Sequence, residues 1–339
     1  MTNKHKQGEA QQAWYRDPNE QTKADGSHAD RDPLMSRPRI SAVVLCLVAG
    51  LACLGLAALV WWATVWTVPG QTYDDMALAN FRGFLDQAPL IKAYLGLFTI
   101  PYVTVAICVV LGLSSLAVVL VRRRWWLLGQ LAVYALVVYG AARILKRFLP
   151  RPVLIHAQAS TSNSAPSGHA ILALAVVLAL LCAVPRVWRA PVALVGFAFD
   201  LSVGCSLVQG GWHRPSDVVM GMLIPAGLCL VALACTRGTG MDVPGTRMSS
   251  ASIQIVSTLM MVAGFLGILY ACYVIWQVSP GLEIGARWTA YGVHCSAVIL
   301  MASVLSLSLG LVLAMRQITA SPLTRMGLVG RPPAPPQNG

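Results

Sequence analysis

The chain has 339 residues, of which 56% are hydrophobic and only 11% charged, and its mean hydropathy is +0.65. Soluble domains carry about a quarter charged residues, so this composition excludes an ordinary soluble globule and predicts a membrane protein. The formal net charge is +12; the basic residues lie between apolar runs with no basic-and-aromatic recognition module, which argues against a nucleic-acid partner and for a role in membrane orientation.

Residues 1–39 hold seven basic and six acidic residues and no apolar periodicity, so they read as a disordered tail. The first apolar run opens at about Ile40, late and long for a cleaved signal, and is expected to be a retained span. From there the chain shows eight candidate spans, roughly 40–65, 95–121, 127–146, 168–185, 191–209, 216–235, 254–277 and 291–315, each near the ~20 residues needed to cross a bilayer. The expected fold is therefore an all-α polytopic membrane helix bundle of about eight transmembrane helices. Trp66, Trp125, Trp126, Trp188, Trp212, Trp276 and Trp288 fall near span ends, as interfacial belts require. The segment 66–94, with Asp74, Asp75 and Asp86, reads as an external loop with an interfacial helix, and "RPPAPPQNG" at the C-terminus as a flexible tail. Most of the nine cysteines sit inside apolar runs and none forms a CxxC pair; they read as small hydrophobes rather than a disulfide framework or a metal site.

With a cytoplasmic N-tail, the inside segments carry Arg122, Arg123, Arg124, Arg186, Arg189, Arg237, Arg247, Arg316, Arg325 and Arg331, as the positive-inside rule demands. One dense external cluster breaks the trend: Arg143, Lys146, Arg147, Arg151 and Arg214. Three pieces meet on that face. "KRFLPRP" (146–152) leaves the third span, "PSGH" (166–169) enters the fourth, and "GWHRPSD" (211–217) joins the fifth to the sixth. Together they suit a phosphate. Cations clamp its oxygens, and Ser167 and Gly168 open a helix whose N–H groups and dipole favour an anion. Gly168 allows close approach. His213 and Asp217 are four apart at a helix start, with Pro215 in its first turn, so the carboxylate can fix the tautomer of His213. The other ring nitrogen is then free as a nucleophile, and His169 is left as acid and then base.

These pieces resemble the type 2 phosphatidic acid phosphatase (PAP2) superfamily of membrane lipid phosphatases, whose pattern is K-x6-R-P, then P-S-G-H, then S-R-x5-H-x3-D. The resemblance covers about 141–224. It implies a six-helix core over 40–235, with two additional helices over 236–315 and a cytoplasmic tail over 316–339. It also implies a phosphohistidine mechanism with no metal and no cofactor. Carried over, His213 attacks phosphorus, Asp217 orients it, and His169 protonates the leaving alkoxide. Lys146, Arg151, Ser167 and Gly168 hold the phosphate. Two departures stand out. Four residues, not six, separate Lys146 from Arg151, so Lys146 or Arg143 fills that place. Ser206 matches the third motif but Leu207 follows it where the family has Arg, which leaves Arg214 as the replacement clamp.

Asp200 lies mid-span, where a carboxylate is costly; it is expected to support the site by ordering a basic side chain, or to pair with Arg143 or nearby hydroxyls. His156 is expected to be a solvent-exposed loop residue, His294 to be structural, and Arg122–Arg124 to be an orientation signal. The expected partners are a lipid phosphate substrate and the membrane itself, a bacterial plasma membrane, with the active site extracytoplasmic. Two rival readings are a phosphotransferase using the same intermediate and a non-catalytic lipid-phosphate binder or transporter with a degenerate site.

Overall fold

The computed structural model describes residues 37–155, 163–242, 251–284 and 286–320. These residues are helical with short connections. The elements are α1 Ile40–Val65, α2 Val68–Leu78, α3 Phe81–Phe84, a 3-10 turn Leu85–Gln87, α4 Pro89–Phe98, α5 Pro101–Val121, α6 Trp125–Phe148, α7 Gly168–Ala183, α8 Arg186–Gln209, α9 Pro215–Ala234, a second 3-10 turn Gly238–Gly240, α10 Ala251–Glu283 and α11 Arg287–Ala320. Seven of them, α1, α5, α6, α8, α9, α10 and α11, are long and apolar enough to cross a membrane.

The remaining expected span is α7. Its 16 residues rise only about 24 Å, short of the roughly 30 Å hydrocarbon layer. It does not need the full length, because other helices rather than lipid surround it. Ile171, Leu174, Leu178 and Leu181 are buried, and α5, α6, α8, α9 and α11 all pack on it. The second expected span also changes. A break at Ile100 separates α4 from α5, and Pro101 at the helix start is its cause, since the residue before proline is held in extended backbone. The segment 66–94, expected as an external loop, folds into α2, α3 and the start of α4, which lie along one end of the bundle.

Lipid-facing and protein-facing residues separate cleanly. Leu45, Val48, Leu51, Leu59 and Trp62 of α1 are exposed, whereas Cys46, Gly50, Cys53 and Ala57 turn inward. These small residues recur at helical spacing, which lets backbones approach closely. A Cβ on Gly50 would lie 2.9 Å from the carbonyl oxygen of Gly227 in α9, and a Cβ on Gly227 would lie 2.9 Å from that of Gly50. The last two helices, 33 and 34 residues long, pair with each other, and α11 also packs along α8 and α9.

Up-and-down connectivity places the ends of α1, α6, α8 and α10 and the starts of α5, α7, α9 and α11 at one end of the bundle. Exposed Tyr102, Trp212, Trp276 and Trp288 ring that end, and exposed Trp125, Trp126 and Trp188 mark the other, as the two interfaces of a bilayer require.

Candidate functional site

The site is built where α9 begins. Arg214 occupies the N-cap of α9 and Pro215 its first turn, where the missing N–H costs nothing. Asp217 reaches back to accept the Arg214 N–H at 3.1 Å through Oδ2, half of a capping box. The same oxygen accepts the Ser164 hydroxyl. His213 lies just ahead, its N–H and that of Trp212 3.4 and 3.0 Å from the Leu207 carbonyl. His213 Nδ1 faces Asp217 Oδ2 at 3.7 Å, longer than a hydrogen bond. Both His213 Nδ1 and Asp217 Oδ1 are buried without a partner. A small ring rotation on substrate binding would close this pair, and catalytic hydrogen bonds commonly tighten at that stage.

The second motif faces the first. The Ser167 N–H donates to the Asp217 backbone oxygen at 3.0 Å, which pins the start of α7 to that of α9. Ser167 is fully buried, and its hydroxyl accepts the Ala170 N–H at 3.5 Å as the α7 cap. Gly168 is open, with nothing within 4 Å of a built Cβ, so its N–H and those of the first turn are available to an anion. His169 stands beside the Trp212 ring at 6.2 Å and within electrostatic range of His213 and Lys146.

The cations divide into two groups. Arg151 is half-buried at the centre, and its Nη1 lacks a partner. It senses Arg214, Asp217, Asp74 and Asp75, and burial followed by the Arg214 charge pulls its pKa below the ordinary guanidinium value. Arg214 is buried; its Nε donates to Asp75 Oδ1 at 3.1 Å and its Nη1 to the Ser164 hydroxyl at 3.3 Å. Lys146, Arg143 and Arg147 are exposed on the last turns of α6. Arg143 sits 6.0 Å over the Tyr139 ring.

Three residues of α2 hold the motif pieces in register. Gln71 donates to the Pro152 and Val65 oxygens at 2.8 and 2.7 Å and accepts the Leu154 N–H, tying the Arg151 loop to α1. Asp74 is fully buried and accepts from the Ser216 N–H at 3.4 Å and from its hydroxyl, satisfying a first-turn donor of α9. Burial, reinforced by the Asp217 charge, pushes its carboxyl up to about 7, against the Ser216 hydrogen bond and the Arg151 and Arg214 charges. Asp75 holds Arg214. Asn163 closes the loop from the other side, bonding the Leu149 oxygen at 2.9 Å and the Ala165 N–H at 3.1 Å.

Sequence reasoning marked Asp74 and Asp75 only as loop acids, and missed Gln71, Ser164 and Asn163. Two other expectations meet a different arrangement. The Ser206 hydroxyl donates to the Val203 oxygen of its own helix at 2.7 Å and does not face the phosphate cradle. Leu207 is a core residue, 2% exposed. Asp200 orders no basic side chain among the described residues: both its oxygens are buried and unpartnered, and Arg143 is not beside it. His294 Nε2 pairs with the Ala79 oxygen at 2.9 Å and its ring stacks on Phe84, a packing role. His156 lies outside the described residues.

An apolar groove of about 620 Å³ runs between α5, α6 and α7. Gly168 and Arg143 line its upper end, Ala135, Leu172 and Ala175 its middle, and Leu128 and Ala179 its lower end. The 12 residues from Gly168 to Ala179 span about 16 Å of helix.

A membrane-type helix bundle thus carries, at one end, a paired His and Asp, a second His, an exposed helix N-terminus and buried arginines: the equipment of a phosphate-handling membrane protein. Residues 123–240 match the family model described as the PAP2 superfamily. That stretch runs from the start of α6 to the second 3-10 turn and contains all three motifs, and over it the chain is similar to this superfamily. No curated protein and no solved structure compared with the chain matches it.

Proposed function

We propose that this protein hydrolyses a phosphomonoester or pyrophosphate of a lipid, through a phosphohistidine on His213, at the extracytoplasmic face of the membrane. The observation that carries the lipid assignment is the groove. It is lined almost wholly by apolar residues and begins at Gly168, where the phosphate cradle begins. A substrate phosphate seated at the α7 N-terminus has a hydrocarbon-sized channel beside it; a soluble sugar phosphate has no use for one.

In the first step His213 Nε2, the nitrogen turned away from Asp217, attacks phosphorus. The phosphorus–oxygen bond to the lipid breaks and the leaving alkoxide takes a proton from protonated His169. In the second step neutral His169 takes a proton from water, the hydroxide attacks phosphorus, and the phosphorus–nitrogen bond breaks. Phosphate leaves, His169 is again protonated and His213 is free. Asp217 holds the His213 imidazole and stabilises its positive charge. Arg151, Arg214, Lys146 and the Gly168 N–H stabilise the developing charge on the phosphoryl oxygens. Arg214, buried and flanked by Asp75, Ser164 and Asp217, takes the part of the arginine that Leu207 replaces, a reading its burial and these three neighbours support.

The test is phosphate release by the purified full-length protein in detergent, from a panel of lipid mono- and pyrophosphates in excess EDTA, with His213→Ala and His169→Ala alongside. Release that persists in EDTA and disappears in both variants supports the proposal. Phosphate appearing on an added acceptor instead of in solution would make the protein a phosphotransferase. Lipid-phosphate binding without turnover by the wild type would make it a binder.

A further inference from the structure

At the end of the bundle opposite the site, five arginines surround one carboxylate. Arg189 grips Asp242 with both terminal nitrogens, at 2.8 and 3.0 Å. Arg124 Nη2 adds a bond to Oδ1 at 3.0 Å and Arg186 Nε one to Oδ2 at 3.1 Å. Arg316 donates to the Gly240 oxygen at 3.1 Å and senses Asp242, Arg189 and Arg124. Arg122 senses Arg124, Asp242 and Arg189.

The charges do not balance. Asp242 already accepts four N–H groups from three arginines and has no capacity left for Arg316 or Arg122. It is also the only carboxylate at this end among the described residues. The side chains of Arg189 and Arg316 are fully buried and that of Arg124 is 5% exposed. Yet Arg124 Nη1, Arg189 Nε, and Arg316 Nε and Nη1 are buried without any hydrogen-bond partner. Buried guanidinium groups are stable only when paired. The N-termini of α6 and α8 end in the same place and add positive potential. A structural latch would need one arginine per carboxylate, not five.

We propose that this cluster is a binding site for a phosphate-type oxyanion, supplied by the headgroup of an anionic lipid or by free phosphate. Its depth fits either source. Trp125, Trp126 and Trp188, all exposed at the adjoining helix starts, place the cluster at headgroup level. Arg186 and Arg122, its least buried members, offer the approach from the surface. The planar forks of several arginines match a tetrahedral oxyanion and would satisfy the unpartnered N–H groups. This site is separate from the one that handles substrate and does not depend on the proposed reaction.

The test uses full-length protein stripped of lipid in a neutral detergent. Retention of phosphatidylglycerol and phosphatidylcholine is measured by native mass spectrometry, and melting temperature is measured with and without inorganic phosphate. Arg186→Gln is the main variant. Arg122→Gln, altered at a half-exposed helix end, is the second in case the first does not fold. Substrate turnover is followed in both and should be unchanged, and any binding at the opposite end is common to all proteins compared. For a lipid headgroup, the wild type keeps phosphatidylglycerol at least about fivefold over phosphatidylcholine, and each variant loses most of that preference, retaining the two lipids within about twofold of each other. For free phosphate, the wild type but not the variants melts several degrees higher when phosphate is added. Equal retention of both lipids with no phosphate effect, or identical behaviour of wild type and both variants, would overturn the proposal.

Discussion

Arg214 Nε and Asp75 Oδ1 lie 3.1 Å apart across 139 residues of sequence, and this ion pair joins helix α2 to the mouth of the candidate site. The pair is largely desolvated, with side-chain exposures of 6% and 17%. Asp75 is therefore expected to act through Arg214, aiming the guanidinium at the phosphate. Arg214→Ala should lower kcat/KM for a lipid phosphate by about 10²–10³-fold, and Asp75→Asn by about tenfold. The double variant should be no worse than Arg214→Ala alone, because the second change removes the support of a group already gone. Steady-state kinetics of the four proteins decide it: additive losses would show that Asp75 works independently of Arg214.

Asp217 and Ser164 carry a second prediction. Ser164 holds Asp217 Oδ2, the oxygen that faces His213, while Oδ1 is buried without a partner. Asp217→Asn should cost about 10²–10⁴-fold in kcat, since the tautomer and charge of His213 depend on the carboxylate. Ser164→Ala should cost much less, because Arg214 N–H still holds the same oxygen. A kcat for Asp217→Asn within a factor of a few of wild type would remove Asp217 from the mechanism.

Asp74 makes stability depend on pH. Its carboxyl is raised to about 7 in the folded protein, from about 3.8 in an unfolded chain. A raised folded value means that the neutral form is favoured by folding. The resulting stability, on the order of 4 kcal/mol at most, is complete below the unfolded value and is lost as pH climbs through about 7. Melting temperature should therefore fall between about pH 4 and pH 7 in the wild type and level off above that, and the Asp74 contribution to that fall should vanish in Asp74→Asn. Parallel pH profiles for the two proteins would show that Asp74 does not titrate in this range.

The groove predicts chain-length selectivity. Ala135 lines its middle, and Ala135→Trp would fill it without touching the polar groups. Turnover of a long-chain lipid phosphate should fall about tenfold or more, while that of a short-chain soluble analogue should change little. Equal losses on both substrates would mean that the groove does not take the lipid chain.

Packing of α1 on α9 is testable at Gly50. Gly50→Val places atoms 2.9 Å from the Gly227 oxygen and from Val231, and overpacking of this kind costs about 1–3 kcal/mol. The variant should melt several degrees lower with unchanged kinetics in the surviving protein; an unshifted transition would show that the two helices part easily.

Much of this was legible in the sequence, for identifiable reasons. His213, Arg214, Pro215 and Asp217 form a helix start whose internal spacing fixes their relation, and Ser167–Gly168 form another. Local chemistry of that kind needs no tertiary information. The apolar runs gave the long helices because lipid enforces hydrophobicity on every exposed turn. What the sequence hid depends on long-range contact. Asp74 meets Ser216 across 142 residues and Ser164 meets Asp217 across 53, and nothing in "TYDDM" distinguishes a solvated acid from one buried against a helix start. The shortness of α7 was hidden for a similar reason: an apolar run does not say whether lipid or protein will surround it. The arginines around Asp242 looked like orientation signals because charge counts by loop cannot show that distant loops converge.

The most direct measurement is to trap the intermediate. Wild-type protein is mixed with lipid phosphate labelled in its phosphoryl group, in EDTA, quenched within milliseconds in base, digested and mapped. The account predicts an alkali-stable, acid-labile phosphoryl group on His213, absent in His213→Ala. A turning-over enzyme that never labels His213, or that loses its activity in EDTA, would contradict it.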